Sequence, residues 1–139
     1  MRYAVCDALA AVLGRPRVLL PVVGEPGSLA VLTAADSKPG YLAIAPRGWR
    51  NEISLSWMLR LPLYRPNLMA AKLPCPVLFC IAEQDTAVPP AAIEDAARRA
   101  GDRATVCRYP IGHFDVYVGD GFAQCLSAQL GFFSRVLAR

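Results

Sequence analysis

Two short apolar runs on either side of a helix-like stretch constrain this chain more than anything else in it. Pro76-Val-Leu-Phe-Cys-Ile-Ala82 and Ala104-Thr-Val-Cys-Arg-Tyr109 have the length and the β-branched and aromatic content of buried strands. Between them, Pro89 and Pro90 suit a helix start, Gly101 suits its end, and Ala92, Ile93, Ala96, Ala97 and Ala100 fall on one small-residue face. Strand, helix, strand at this spacing predicts a βαβ unit with parallel strands and a right-handed crossover. A last helix is expected from about 121 to 138, with Phe122, Cys125, Leu126, Gln129, Leu130, Phe133 and Leu137 as the stripe that covers the sheet from one side. Two strands do not bury both faces of a parallel sheet, so more strands are expected from the first half, from another chain, or from a larger domain.

The first half is loop-rich and helical where it is regular. Val5, Leu9, Val12 and Leu13 share a helical face, predicting an amphipathic helix closed by Gly14 and Pro16, and Asp7 interrupts the apolar run that a signal peptide would need. Turn signals crowd 21–27 and 38–40, with a short helix expected over 28–35 between them. Residues 49–61 fit a helix loosely through Ile53, Trp57, Leu59 and Leu61, and Pro62 ends it. The division read from these patterns is 1–73 and 74–139.

Composition removes several classes of function. With 139 residues, 55% of them hydrophobic, the chain has the length and apolar content of a single packed domain rather than a disordered segment. Its net charge of +4 comes from scattered arginines without a basic run or an interleaved aromatic ladder, so no nucleic-acid partner is expected. No segment approaches the roughly 18 consecutive apolar residues of a membrane span, and a cytoplasmic protein is the expectation. Five cysteines without a CxxC pair read as buried free thiols in a reducing compartment, and one histidine with scattered carboxylates gives no metal-ligand spacing. No cofactor is expected.

Chemistry concentrates where the two strands end. The first run is followed by Glu83-Gln-Asp85, and the second by Pro110-Ile-Gly-His113, the only histidine of the chain. Neighbouring parallel strands bring their C-terminal ends together, so Asp85 and His113 can meet despite their separation. A histidine acts as general base on a hydroxyl when a carboxylate fixes its tautomer and stabilises the imidazolium. Taken singly, Asp85 reads as a turn or helix cap and His113 as a satisfied buried histidine; taken together they read as the acid and base of a triad. Glu83 is the nearest substitute acid, and Asp115 reads as a capping or surface group.

Pro74-Cys-Pro-Val-Leu78, Glu83-Gln-Asp85 with Val88-Pro-Pro90, and Tyr109-Pro110 with Gly112-His-Phe-Asp-Val-Tyr117 resemble the C-terminal part of an α/β-hydrolase of the dienelactone-hydrolase-like or peptidase-like type. The resemblance implies an α/β fold of parallel strands flanked by helices, incomplete within this chain, with Asp85 as triad acid and His113 as base. Residues 1–73 then look like the cap segment, with Trp49, Trp57, Met58, Tyr64 and Met69 either lining an apolar acyl or aromatic pocket or packing in an ordinary core. Members of that family carry their nucleophile in a G-x-S-x-G elbow ahead of the acid. Here Ser28, Ser37, Ser54, Ser56, Ser127 and Ser134 all lack glycines two residues away on both sides, no cysteine occupies an elbow, and the oxyanion-hole segment is missing.

These readings predict a hydrolase portion that is inactive alone. Its parent reaction would be serine-type hydrolysis of an ester, lactone or amide in a small acyl substrate, completed by a separate nucleophile-bearing half. A non-catalytic binding or assembly module of hydrolase-like shape, pairing through an exposed sheet edge and possible as a homo-oligomer, is the alternative.

Overall fold

One buried carboxylate organises the beginning of the chain. The computed structural model describes residues 2–138 and forms two compact units that divide between Arg65 and Pro66. The first holds α1 (Arg2–Val12), β1 (Leu19–Leu20), α2 (Ser37–Ile44) and β2 (Ile53–Ser54), then 3₁₀ turns at Ser56–Leu59 and Leu61–Leu63. Asp7, fully buried on α1, accepts from Arg17 Nε and Nη2 at 2.7 Å each, from Ser54 Oγ at 2.7 Å, and from the backbone N–H groups of Val18 and Ser56. The Arg17 guanidinium outweighs the upward push of burial, and with the serine donors it holds the Asp7 carboxyl far below the usual carboxylate range.

That network turns α1 over relative to its hydropathy. Ala4 and Asp7 face inward, whereas Val5, Leu9, Val12 and Leu13 are exposed, so the predicted helix forms with its apolar stripe outward. The same network shapes 49–61, where a helix was expected. Ser54 and Ser56 are drawn to Asp7, β2 pairs antiparallel with β1, and only 3₁₀ turns follow.

Residues 28–35 are not helical either. Leu32 and Val31 donate to the carbonyls of Val22 and Pro21, making a parallel bridge between Val23 and Leu32. The Asn51 side chain satisfies both the N–H and the C=O of Val23. Gly24 leaves the space that Ser28 and Ala30 fill, a close approach open only to glycine. The regular helix comes later, as α2, with Pro39 in its first turn where no intrahelical N–H is required.

The second unit contains α3 (Pro66–Met69), a 3₁₀ turn at Ala70–Lys72, β3 (Val77–Ala82), α4 (Pro90–Ala100), β4 (Ala104–Tyr109), a 3₁₀ turn at Asp115–Tyr117 and α5 (Gly119–Leu137). The fold is mixed α/β. β3 and β4 pair in parallel through six residue pairs, from Val77 with Ala104 to Ala82 with Tyr109. Strand alternation sends Val77, Phe79 and Ile81 toward α4, and Leu78 and Cys80 toward α5, so helices lie on opposite faces of the two strands. On α4, Ala97 and Ala100 are buried and Ile93 and Ala96 half-buried, as the small-residue face predicts, although Ala92 is exposed.

α5 forms where expected but buries a different stripe. Gly121, Cys125 and Phe132 are its buried residues, whereas Phe122, Leu126, Leu130, Phe133 and Leu137 are exposed. Only Cys125 belongs to both sets. Gly121 explains the offset: a Cβ there would lie 2.5 Å from the Asp115 carbonyl oxygen and 3.1 Å from Ile111 Cδ1, so the small side of the helix start can sit against the preceding loop.

Core substitutions test this packing directly. Ile81, 1% exposed, should lose about 2–5 kcal/mol on conversion to Ala, and Phe132→Ala about 3–5 kcal/mol, in urea unfolding. Leu130→Ala should stay within about 0.5 kcal/mol, the reverse of what the sequence stripe predicts. Because Asp7 has a depressed value when folded, its contribution is complete above the unfolded Asp value of about 4 and is lost as pH falls. Protection factors of the α1 amides, taken against the intrinsic exchange rate at each pH, should therefore fall on acidification, and Asp7→Asn should abolish that pH dependence.

Candidate active site

The parallel register ends both strands at one level, and the pairing continues into the loops beyond. Glu83 N–H donates to the Tyr109 carbonyl at 2.9 Å, Gln84 N–H to the Ile111 carbonyl at 3.0 Å, and Ile111 N–H to Tyr109 at 2.8 Å. The first two bonds hold the loop after β3 against the loop after β4, and the third turns the chain within the latter. Across that junction, Asp85 Oδ2 lies 2.8 Å from His113 Nδ1. The two residues singled out from the sequence are in hydrogen-bond contact.

Each is held on its other side. Asp85 Oδ1 accepts from the N–H groups of Ala87 at 2.8 Å and Val88 at 2.7 Å, the loop leading into α4, so the carboxylate also makes the turn that its plainer reading assigns to it. Its side chain is 7% exposed, and that of His113 26%. Burial raises the Asp85 value most, but the Val88 N–H, His113 and the Ala87 N–H together bring the carboxyl below its ordinary value. The carboxylate is therefore ionised at neutral pH, as a group orienting an imidazole must be. The imidazole packs edge-on to Phe114 and Tyr117, with centroids at 4.8 and 6.5 Å.

Other sequence candidates lie elsewhere. Glu83 is exposed. Asp115 caps the histidine loop, its Oδ2 accepting from Gly112 N–H at 2.8 Å. Cys75 is exposed along with Cys6, correcting the expectation of burial, while Cys80 and Cys107 are half-buried and Cys125 is buried; all five are free thiols. Burial raises the Cys80 and Cys125 thiols, and it also raises the neighbouring Tyr109 hydroxyl, so this cluster between the β3–β4 pair and α5 stays protonated at neutral pH. Such thiols are poor nucleophiles. Met69 lines an apolar groove of about 690 Å³ with Leu73, Phe79 and Ile93, and neither Asp85 nor His113 borders it. Of the other expected pocket residues, Trp57 and Tyr64 are exposed, and Trp49 stacks on Tyr41.

Among the described residues, no group of three or more His, Cys, Asp or Glu side chains could hold a metal ion, and no helix is long and apolar enough to cross a membrane. No protein-family model matches the chain. It is similar to a quorum-quenching protein. That relative is the quorum-quenching protein AidA of Acinetobacter baumannii (strain MDR-ZJ06), 29% identical over 139 residues that make up 99% of this chain and 45% of the relative. The chain thus spans a little less than half the length of the curated protein it matches.

With one histidine in the chain, nitrogen-15 NMR reads the pair without overlap. The neutral imidazole should carry its proton on Nδ1, and Asp85→Ala should shift it toward a mixture of tautomers while its Nδ1 proton exchanges at least about tenfold faster. Since the folded Asp85 value is depressed, its hold on the loop is complete above about pH 4 and is lost on further acidification. The protection of the Ala87 and Val88 amides, relative to their intrinsic exchange rates, should then fall.

Proposed function

We propose that Asp85 and His113 are the acid and base of a serine-type hydrolase, and that this chain carries them as the C-terminal portion of an α/β-hydrolase. The contact between Asp85 Oδ2 and His113 Nδ1 carries the reading, because it leaves Nε2 as the nitrogen able to take a proton from a nucleophile. A serine hydroxyl would lose its proton to Nε2 as its oxygen attacks the substrate carbonyl. Asp85 would stabilise the imidazolium, which then returns the proton to the departing alcohol or amine. Water repeats the sequence on the acyl-enzyme and releases the acid.

The bond cleaved is, in this proposal, an ester, lactone or amide in a small acyl substrate. The similar protein is named for quorum quenching, which fits hydrolysis of a diffusible signal of that class. The nucleophile and its oxyanion donors would come from outside residues 1–139, since no serine here sits in a G-x-S-x-G elbow. More than half of the similar protein lies beyond the matched region, which leaves room for such a half. Residues 1–73 would serve as a cap. A non-catalytic assembly module is favoured by one observation, that among the described residues β3 and β4 each pair with a single strand and so leave an outer edge open.

Fluorophosphonate labelling and p-nitrophenyl ester turnover distinguish these readings. The chain alone should show neither, whereas protein expressed with its preceding coding sequence, or mixed with a separate nucleophile-bearing half, should show both. In that complete enzyme Asp85→Asn should lower kcat about 10⁴-fold and His113→Ala about 10⁶-fold. Labelling of any serine of this chain in isolation would refute its inactivity, and full turnover by His113→Ala would remove the imidazole from the mechanism.

A further inference from the structure

The acid fixes one nitrogen of the imidazole, but nothing in that contact fixes the backbone from which the ring projects. His113 stands in a loop between β4 and α5, and two sets of contacts define this loop. Upstream, the Ile111 carbonyl accepts from Gln84 and the Ile111 N–H donates to Tyr109. Downstream, the Asp115 carboxylate reaches back over His113 and Phe114 to the Gly112 N–H at 2.8 Å, closing a ring of four residues that contains the histidine. Phe114, at 7% exposed, anchors the turn, and Tyr117 N–H donates to the Phe114 carbonyl at 3.0 Å.

The same residue also meets the last helix. The Asp115 carbonyl oxygen occupies the space beside Gly121 where a Cβ would lie only 2.5 Å away, so the first turn of α5 rests against the backbone of the turn that begins at Asp115. Asp115 therefore ties the histidine loop to itself through its carboxylate and to a 19-residue helix through its backbone. Reaching back three residues to an N–H is what a short carboxylate does in capping a turn, and here the turn carries the imidazole.

We propose that Asp115 is a positioning residue for His113, setting the loop geometry that lets Nδ1 meet Asp85. The proposal rests on the acid–base reading above. It assigns Asp115 no contact with substrate. Removing its side chain frees the Gly112 N–H and loosens the ring, and the imidazole then samples orientations in which the bond to Asp85 is broken.

The test uses the nitrogen-15 spectrum of the sole imidazole in the full chain, with thermal melting as a control for folding. Asp115→Ala should give a mixture of tautomers and about tenfold faster exchange of the Nδ1 proton. Asp115→Asn keeps an oxygen acceptor for Gly112 and should restore the parent spectrum, which a purely charge-based role would not allow. Should Asp115→Ala fail to melt cooperatively, Gly121→Ala gives an independent probe, since its new Cβ displaces the Asp115 carbonyl and should shift the spectrum in the same direction.

A folded Asp115→Ala, or a folded Gly121→Ala in its place, with the parent tautomer and exchange rate would overturn the proposal. If Asp85→Ala alone disturbs the imidazole, the acid–base pair stands and the role of Asp115 falls. If the parent chain already shows mixed tautomers, the pair itself is wrong, and the positioning role falls with it.

Discussion

The parallel, in-register pairing of β3 with β4 is the constraint on which the rest of the second unit depends. Six matched pairs mean that the strands start and finish together, so the loops leaving their C-terminal ends start from adjacent points. An antiparallel pair would have sent those loops to opposite ends. Backbone bonds from Glu83 and Gln84 then extend the pairing past the last strand residues, and so bring the loops that carry Asp85 and His113 side by side. The helices serve the same arrangement. α4 returns the chain to the start of β4, and α5 closes the opposite face with Cys125 and Phe132.

In the first unit the ordering force is polar. Asp7 gathers a guanidinium, a hydroxyl and two backbone N–H groups from segments far apart in sequence, and no buried side-chain nitrogen or oxygen among the described residues lacks a partner. An ionised carboxylate out of contact with water has a large desolvation cost unless it is paired and fully hydrogen-bonded. That requirement overrides the weaker preference for burying Val5, Leu9 and Val12, and it explains why a helix so apolar on one side presents that side outward.

The sequence made some of this legible and hid the rest for physical reasons. β3, α4 and β4 were readable because their boundaries are set by proline and glycine and their interiors by burial, both local properties. The acid and the histidine were readable because parallel topology converts two strand ends into one place. α2 was hidden by Pro39 and Gly40, residues that signal turns yet are tolerated in a first helical turn. The bridge of Val23 with Leu32 depends on Asn51, too distant in sequence for any local pattern to reveal. The buried stripe of α5 is shifted toward Gly121, which the Asp115 carbonyl abuts, so the apolar pattern alone places it off to one side. Likewise, Asp115 showed its capping chemistry in the sequence but not which N–H it would reach.

The placement of the pair also bears on how quickly it can assemble. Asp85 and His113 are 28 residues apart, and the chain between them contains only α4, a short turn and β4. An 11-residue helix spans about 16 Å, close to the roughly 20 Å of a six-residue strand, so the crossover returns with little slack. Loop-closure entropy rises only with the logarithm of length, and a loop already shortened by a helix has less still to lose. Bringing acid and base together therefore needs no search through distant sequence. Strand pairing brings the two loops together, and the turn closed by Asp115 then presents the imidazole to Asp85.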